Sequence, residues 1–233
     1  MEITLDSDFI RSIAAREYDQ TCADLRGGEI VRAFERSQRR HDECIAAAPD
    51  IGTLACRAGC TWCCYFSVDV RAVEVFAILD VIEREFTAEQ KTRIYAEIRA
   101  NSAKLRGLDE TERMRRNVKC PFLSDGRCTI YAVRPQTCRN YHATNAEGCR
   151  QSYEQPDNLD IDPEFAPYVY QAGGAHVDAV MAAMRDAGYD VNVYELNAAF
   201  EAALADPGAR QRFESKQQPF TMLSGTDVPP EFL

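Results

Sequence analysis

Apolar residues recur at helical spacing over most of this chain, and the breaks in that recurrence mark its connections. Phe9, Ile10, Ile13, Ala14 and Tyr18 share one face over residues 8–24, with Asp6 or Ser7 placed to cap it. Gly27-Gly28 interrupts, and a second helix over 29–47 sets Ile30, Phe34, His41 and Ile45 along one side before Pro49-Asp50-Ile51-Gly52 ends it. Val75, Leu79, Ile82 and Phe86 stripe a third helix over 70–86. Thr87-Ala-Glu-Gln90 then opens a fourth, because the Thr hydroxyl can accept the N–H three residues on while Gln90 reaches back. After a polar loop at 154–164, Val177, Val180, Met181 and Met184 form one stripe, and Val193, Leu196, Phe200 and Leu204 another. Pro207-Gly208 interrupts again, and from about 217 the tail reads as irregular. These stripes are core faces, and they predict a mainly α fold.

Two stretches escape the helical pattern. Residues 55–66 read as a loop. Residues 119–150 contain little helix, and Cys120-Pro-Phe-Leu-Ser-Asp-Gly-Arg-Cys128 reads as one short β-hairpin turning at Asp125-Gly126. The expected organisation is therefore N-terminal helices over 1–54, a cysteine-rich segment of irregular loops over 55–150, and an acidic helical extension over 151–233, together one compact unit.

Composition sharpens this reading at one point. The chain has 233 residues, 45% of them hydrophobic, which is enough for an ordinary core. Its ten cysteines are therefore local chemistry and not the staples of a coreless fold. The start, MEITLDSDFIRS, lacks an apolar signal region, and no apolar run reaches membrane-spanning length. A cytoplasmic location without membrane contact is expected, where thiols stay reduced. The net charge of −10 is uneven: residues 150–233 carry 5 basic and 14 acidic side chains. That half repels phosphate backbones, so no nucleic-acid partner is expected. The basic stretch from Lys104 to Lys119 reads as a solvated face.

Eight of the cysteines fall into two groups. Cys56, Cys60, Cys63 and Cys64 lie within nine residues, and Cys120, Cys128, Cys138 and Cys149 follow. The vicinal pair could close a disulfide only through a strained ring. Thiolates two and three residues apart suit a metal, because a short loop can wrap one ion. All eight are candidate ligands, and folding the two segments together would build the site. Successive side chains diverge, so Cys63 and Cys64 either serve different metals or one of them stands just outside the ligand set. Eight sulfurs fit a two-metal centre, two nearby sites, or one four-sulfur site with spare thiols. Gly59, Gly126 and Gly148 suit turns that aim amide N–H groups at sulfur. Cys22 and Cys44 lie on the first two helices and read as small buried hydrophobes. His142, between Cys138 and Cys149, could replace a sulfur, although a lone loop histidine is more often ordinary. No glycine-rich nucleotide fingerprint and no Ser/His/Asp arrangement is present, and catalytic residues are not assigned.

The spacing Cys56-x3-Cys60-x2-Cys63-Cys64, then Glu74, Cys120-Pro-Phe-Leu, Cys128-Thr-Ile-Tyr131, Arg134-Pro135 and Cys138-Arg139, resembles the YkgJ-type cysteine-cluster family of zinc- or iron-chelating domains. The resemblance covers residues 55–150, with a first gap of three residues where the signature CxxCxxCC has two. Tyr194-Glu-Leu-Asn197 resembles a segment that follows the domain in longer bacterial members. The resemblance implies that these cysteines bind zinc or iron, in some members as an iron–sulfur centre. It implies no single activity: a flagellin lysine methylase contains a similar domain, but its methyl-transfer residues do not carry over. Two function classes stay open, a metal-binding module with a structural ion and an iron–sulfur or otherwise redox-active enzyme component. Arg134, Arg139 and Tyr131 read mainly as loop-holding residues, with Glu74 a candidate partner for the arginines. The alternative is that the arginines offset thiolate charge or bind an anion.

Overall fold

The structure, a computed structural model, describes residues 7–221. The expected cap at Asp6 and most of the expected irregular tail lie outside them. Ten α-helices and two short antiparallel strand pairs make up the described residues, so the fold is mainly helical.

Helices α1 (Ser7–Leu25) and α2 (Ile30–Ala46) pack on each other, and both pack on α8 (Pro167–Asp186). Gly28 permits the turn between α1 and α2 because it sits at φ +76°, a conformation a side chain disfavours. The second face of α2 meets α3 (Ala72–Glu85), a largely buried helix. Val73, Val75, Ala77, Ile78 and Ile82 of α3 are all inaccessible to solvent. Helix α4 (Ala88–Leu105) opens on Thr87, whose hydroxyl accepts the N–H of Gln90 at 3.2 Å while the Gln90 side chain accepts the Thr87 N–H at 2.8 Å. The reciprocal cap read from the sequence is therefore present. Helix α4 packs on α9 (Leu196–Ala205), and α9 and α10 (Ala209–Glu214) pack on α3. One continuous core joins Phe34 of α2, Ile78 of α3, Ile98 of α4, Met184 of α8, Phe200 of α9 and Phe213 of α10 with Phe122 and Ile130 from the cysteine-rich segment.

The basic stretch is only partly a solvated face. Arg113, on the short helix α5 (Glu110–Met114), is buried and donates to the Leu108 carbonyl at 3.2 Å. Arg106 pairs across to Glu201 of α9 at 3.2 Å.

The cysteine-rich segment is less loop-like than its sequence suggests. Residues 136–139 form a single turn, α6, and Ala146–Glu154 form a nine-residue helix, α7. Asn145 caps α7 by accepting the N–H of Glu147, and Arg150 pairs with both Glu147 and Glu154 along its outer face. The low apolar content of that helix hid it from a search for stripes.

The remaining strands are very short. Asp69–Val70 (β1) pairs with Tyr194–Glu195, so the segment just after the first cysteine group is bridged to the start of α9. The expected hairpin is present: Leu123–Ser124 pairs with Arg127–Cys128, and both turn residues, Asp125 and Gly126, have positive φ. That is the geometry for which Asp-Gly is favoured in two-residue hairpin turns. Numbered in chain order, the hairpin strands are β2 and β3, and Tyr194–Glu195 is β4.

Candidate metal centre

The first cysteine segment is stitched to the second at both ends. At its start, Ala55 N–H donates to the Ala143 carbonyl at 2.9 Å, and Cys56 Sγ lies 3.8 Å from that same oxygen. At its end, Cys120 N–H donates to the Cys64 carbonyl at 2.7 Å and Val118 N–H to the Tyr65 carbonyl at 3.0 Å. Between them Gly59, at φ +89°, turns the chain, and residues 62–65 make one 3₁₀ turn carrying the vicinal pair. Trp62 and Tyr65 of that turn both pack on Tyr153 of α7, with ring centroids 5.3 and 5.0 Å apart. Cys149, on α7, is thereby carried toward the cluster.

All eight candidate cysteines fall in one neighbourhood centred on Cys63. Cys63 hydrogen-bonds with Cys64 and lies within electrostatic reach of Cys56, Cys120, Cys128, Cys138 and Cys149, while Cys60 neighbours Cys56 and Cys149. Cys22 and Cys44 are elsewhere: Cys44 sits beside Arg16 and Glu17, and Cys22 beside Tyr18. All ten cysteines are free thiols.

Burial favours the protonated form of several of these thiols. Burial pushes Cys120 up to about 12 and Cys149 up to about 11, and neighbouring sulfurs add to both. Burial likewise raises Cys138 well above the usual thiol value, and raises Cys56 and Cys128. The bond to Cys64, then burial, raises Cys63. Opposing this, the backbone N–H groups of Phe122 and Ile130 point at Cys120 and Cys128, each two residues further along the chain from its sulfur. Such N–H···S bonds stabilise thiolate and are a common support for metal-bound cysteine. Arg134 adds positive charge near Cys63 and Cys128.

These residues fit a thiophilic ion by donor type and by neighbourhood. Among the described residues no three His, Cys, Asp or Glu side chains stand at ligating positions.

The polar residues woven through the motif act on the loops. Glu74, fully buried on α3, does not pair directly with the arginines. Its two oxygens accept the backbone N–H groups of Arg71 and Gln136, each at 2.6 Å, which fixes α6 and hence Cys138 against α3. Arg139 is also buried; it pairs with Asp42 of α2 and donates to the Ala132 carbonyl. Arg134 stacks over the exposed ring of Tyr131 at 4.0 Å.

A feature that the sequence did not suggest lies behind Arg139. The chain's three histidines converge there: His41 meets His176 edge-to-face at 5.1 Å and is close enough to His142 and Arg139 for their charges to act on it. Both His41 ring nitrogens are buried without a hydrogen-bond partner. Burial, then its cationic neighbours, drives His41 down to about 2. The three histidines are far apart in the chain, and only the register of α2 against α8 brings two of them together.

Residues 55–159 match the model of a family described as "CxxCxxCC: Putative zinc- or iron-chelating domain". The match covers slightly less than half of the chain and extends just past α7. It supports metal binding by this segment. No curated protein and no solved structure matches the chain. No helix among the described residues is long and apolar enough to cross a membrane.

Proposed function

We propose that this protein chelates zinc or iron through a cysteine cluster assembled from both segments, with Cys56, Cys60, Cys63, Cys64, Cys120, Cys128, Cys138 and Cys149 as the donor set. The observation that carries the reading is the gathering around Cys63 of sulfurs from positions up to 93 residues apart, while Cys22 and Cys44 stay outside. Ordinary small buried residues would not concentrate in this way. The apolar core of α2, α3, α4, α8 and α9 is built from aliphatic and aromatic side chains, with Cys120 and Cys128 packed against it, so the ion would order the loops and not the whole fold. The residues at 1–54 and 151–233 frame that metal-binding unit.

The free thiols support a cytoplasmic site of action. A bound zinc ion would supply a fixed tetrahedral tie between the loops; iron would add an electron-accepting centre. An iron–sulfur redox role is the second reading, and the excess of sulfurs over one closed tetrahedral set favours it. Anaerobic purification with metal analysis and an absorption spectrum tests both. Zinc with no visible absorption supports a structural ion, and a brown protein with a reversible spectrum supports the redox role. Cys60→Ser, Cys63→Ser, Cys128→Ser and Cys138→Ser should each lower bound metal. Full metal content in Cys128→Ser and Cys138→Ser would show that the second segment takes no part.

A further inference from the structure

We propose that the basic stretch after α4 forms a binding groove for a small organic phosphate, a site that does not depend on the metal-binding reading above.

The chain carries 37 acidic and 27 basic side chains, yet this groove shows only one sign of charge. Lys104, from the last turn of α4, and Arg115 and Arg116, at the end of α5 and just beyond it, line it together with Leu105, Leu108 and Val118. Among the described residues no carboxylate lines it. The ion pairs of this stretch belong to Arg106 and Lys119, and among the described residues Lys104, Arg115 and Arg116 have no acidic partner.

Exposed cations can simply be solvated, but the one buried behind them cannot. Arg113 is only 5% exposed, and it donates to the Leu108 carbonyl while its Nε has no partner. Asp69 lies within its electrostatic reach without pairing with it. A buried guanidinium held in this way is costly unless an opposite charge comes near. Arg113 lines a small recess that shares Leu105, Arg116 and Val118 with the groove, so its charge bears on the groove from behind. Charge of one sign beside low-dielectric walls focuses the field into a cleft. Glu195 also lines the recess, but its two oxygens accept the N–H groups of Asn197 and Ala198 at the start of α9.

The backbone fixes the frame without a ligand. Gly107, at φ +80°, turns the chain out of α4. On the return, the Asn117 side chain donates to the Tyr153 carbonyl at 2.6 Å and Val118 N–H to the Tyr65 carbonyl at 3.0 Å.

Size and lining select the ligand. The groove holds about 460 Å³, within the range of small-molecule sites. Guanidinium and ammonium groups together suit the charge and the several oxygens of a phosphate. Leu105, Leu108 and Val118 offer the rest of the molecule an apolar surface. A nucleic-acid surface would need a longer basic track. Cys120 lines the adjoining recess, so a molecule in the groove would lie next to the cysteine-rich segment.

Trinitrophenyl-ATP, an organic phosphate with an apolar body, tests the site by fluorescence titration at physiological salt. Saturable binding that pyrophosphate displaces is expected. Arg115→Ala and Arg116→Ala should each weaken it roughly five- to tenfold. The double variant should weaken it further, with far-UV circular dichroism unchanged because both side chains are exposed. Arg185→Ala, at an exposed position of α8 outside the groove, should bind as the native chain does. Binding that does not saturate, that pyrophosphate leaves untouched, or that the double variant retains in full would overturn the proposal. So would single-stranded oligonucleotides that bind more tightly as they lengthen, since that behaviour marks a nucleic-acid surface.

Discussion

Glu74 Oε1 accepts the backbone N–H of Gln136 at 2.6 Å across 62 residues of chain, and Glu74 Oε2 accepts that of Arg71. One buried carboxylate thus ties the helix after the first cysteine group to the turn that carries Cys138. Glu74→Gln keeps the shape but presents an amide N–H where an acceptor is needed. A buried donor left unpaired costs on the order of 1–3 kcal/mol. Urea denaturation should show a loss in that range for Glu74→Gln and a larger one for Glu74→Ala. Both variants should also bind metal less well because Cys138 is no longer held. Native stability in Glu74→Ala would show that this tie is dispensable.

Adjacent glycines on α8 should respond oppositely to alanine. A Cβ at Gly173 would lie 2.7 Å from Asn140 Cγ, closer still to its Oδ1, and 3.1 Å from His41 Nε2. Overpacking of that kind typically costs ~1–3 kcal/mol. A Cβ at Gly174 meets nothing within 4 Å, so the gain in helix propensity stands alone, roughly 0.5–1 kcal/mol. Thermal denaturation should place Gly173→Ala below the native protein and Gly174→Ala above it. The same direction of change in both would contradict the packing described for Asn140.

His41 should make stability depend on pH. Burial keeps it neutral in the folded chain down to about 2, whereas an unfolded histidine takes up a proton near 6.5. Below about pH 6.5 the unfolded chain therefore holds the extra proton, and this contribution is full above that pH and lost as pH falls. Asp69, raised to about 6 by burial, acts with the opposite sign: its contribution is present at low pH and lost as pH rises through its folded value. Comparing the native protein with His41→Leu cancels the Asp69 effect. The stability difference, native minus variant, should fall on going from pH 7.5 to 5.5 by up to roughly 1.4 kcal/mol per pH unit below 6.5. A difference that is flat across this range would mean that His41 is protonated, or solvated, in the fold.

Cys22→Ser and Cys44→Ser should retain the full metal content. Both thiols are only half-buried, so each serine should cost about 1 kcal/mol, at the low end for an unpaired hydroxyl. Loss of metal from folded Cys22→Ser protein would enlarge the site beyond the eight sulfurs.

Metal uptake should expel protons. Burial and neighbouring sulfurs hold Cys120 and Cys149 up near 12 and 11, so at neutral pH an ion must displace hydrogen from thiols that keep it strongly. Zinc titration in weakly buffered solution should acidify the medium, and apparent affinity should fall steeply as pH is lowered. Uptake without proton release would mean that the sulfurs are not the ligands.

Periodicity exposed the long helices because their apolar stripes face a core, as Ile78, Ile82 and Phe200 do. Asp125-Gly126 exposed the hairpin because few other pairs accept two successive positive φ angles. Cysteine spacing nominated the eight proposed ligands because ligand type and loop length are local properties. Helix α7 stayed hidden because Cys149 and Tyr153, which pack inward, make no repeating apolar stripe, while an Asn cap and Arg–Glu pairs hold its polar side. The assignment of Glu74 to an arginine partner missed because charge suggests charge, whereas the folded backbone offers it two N–H groups instead. The histidine cluster was illegible for a related reason: it depends on how α2 and α8 register, which no local pattern encodes.

The hydrogen bond from Ala55 to Ala143 also sets a schedule for synthesis. Cys56 rests against the carbonyls of Tyr141 and Ala143, 85 and 87 residues downstream, and Cys149 lies further along still. A growing chain that has exposed only its first four cluster cysteines has none of the surface on which they settle. Those thiols must stay reduced and unclaimed while roughly ninety more residues leave the ribosome, several seconds or longer at ordinary elongation rates. On the proposed reading, loading an ion would thus be a late event, and a chain truncated before residue 149 would leave its cysteines open to oxidation or to the wrong metal.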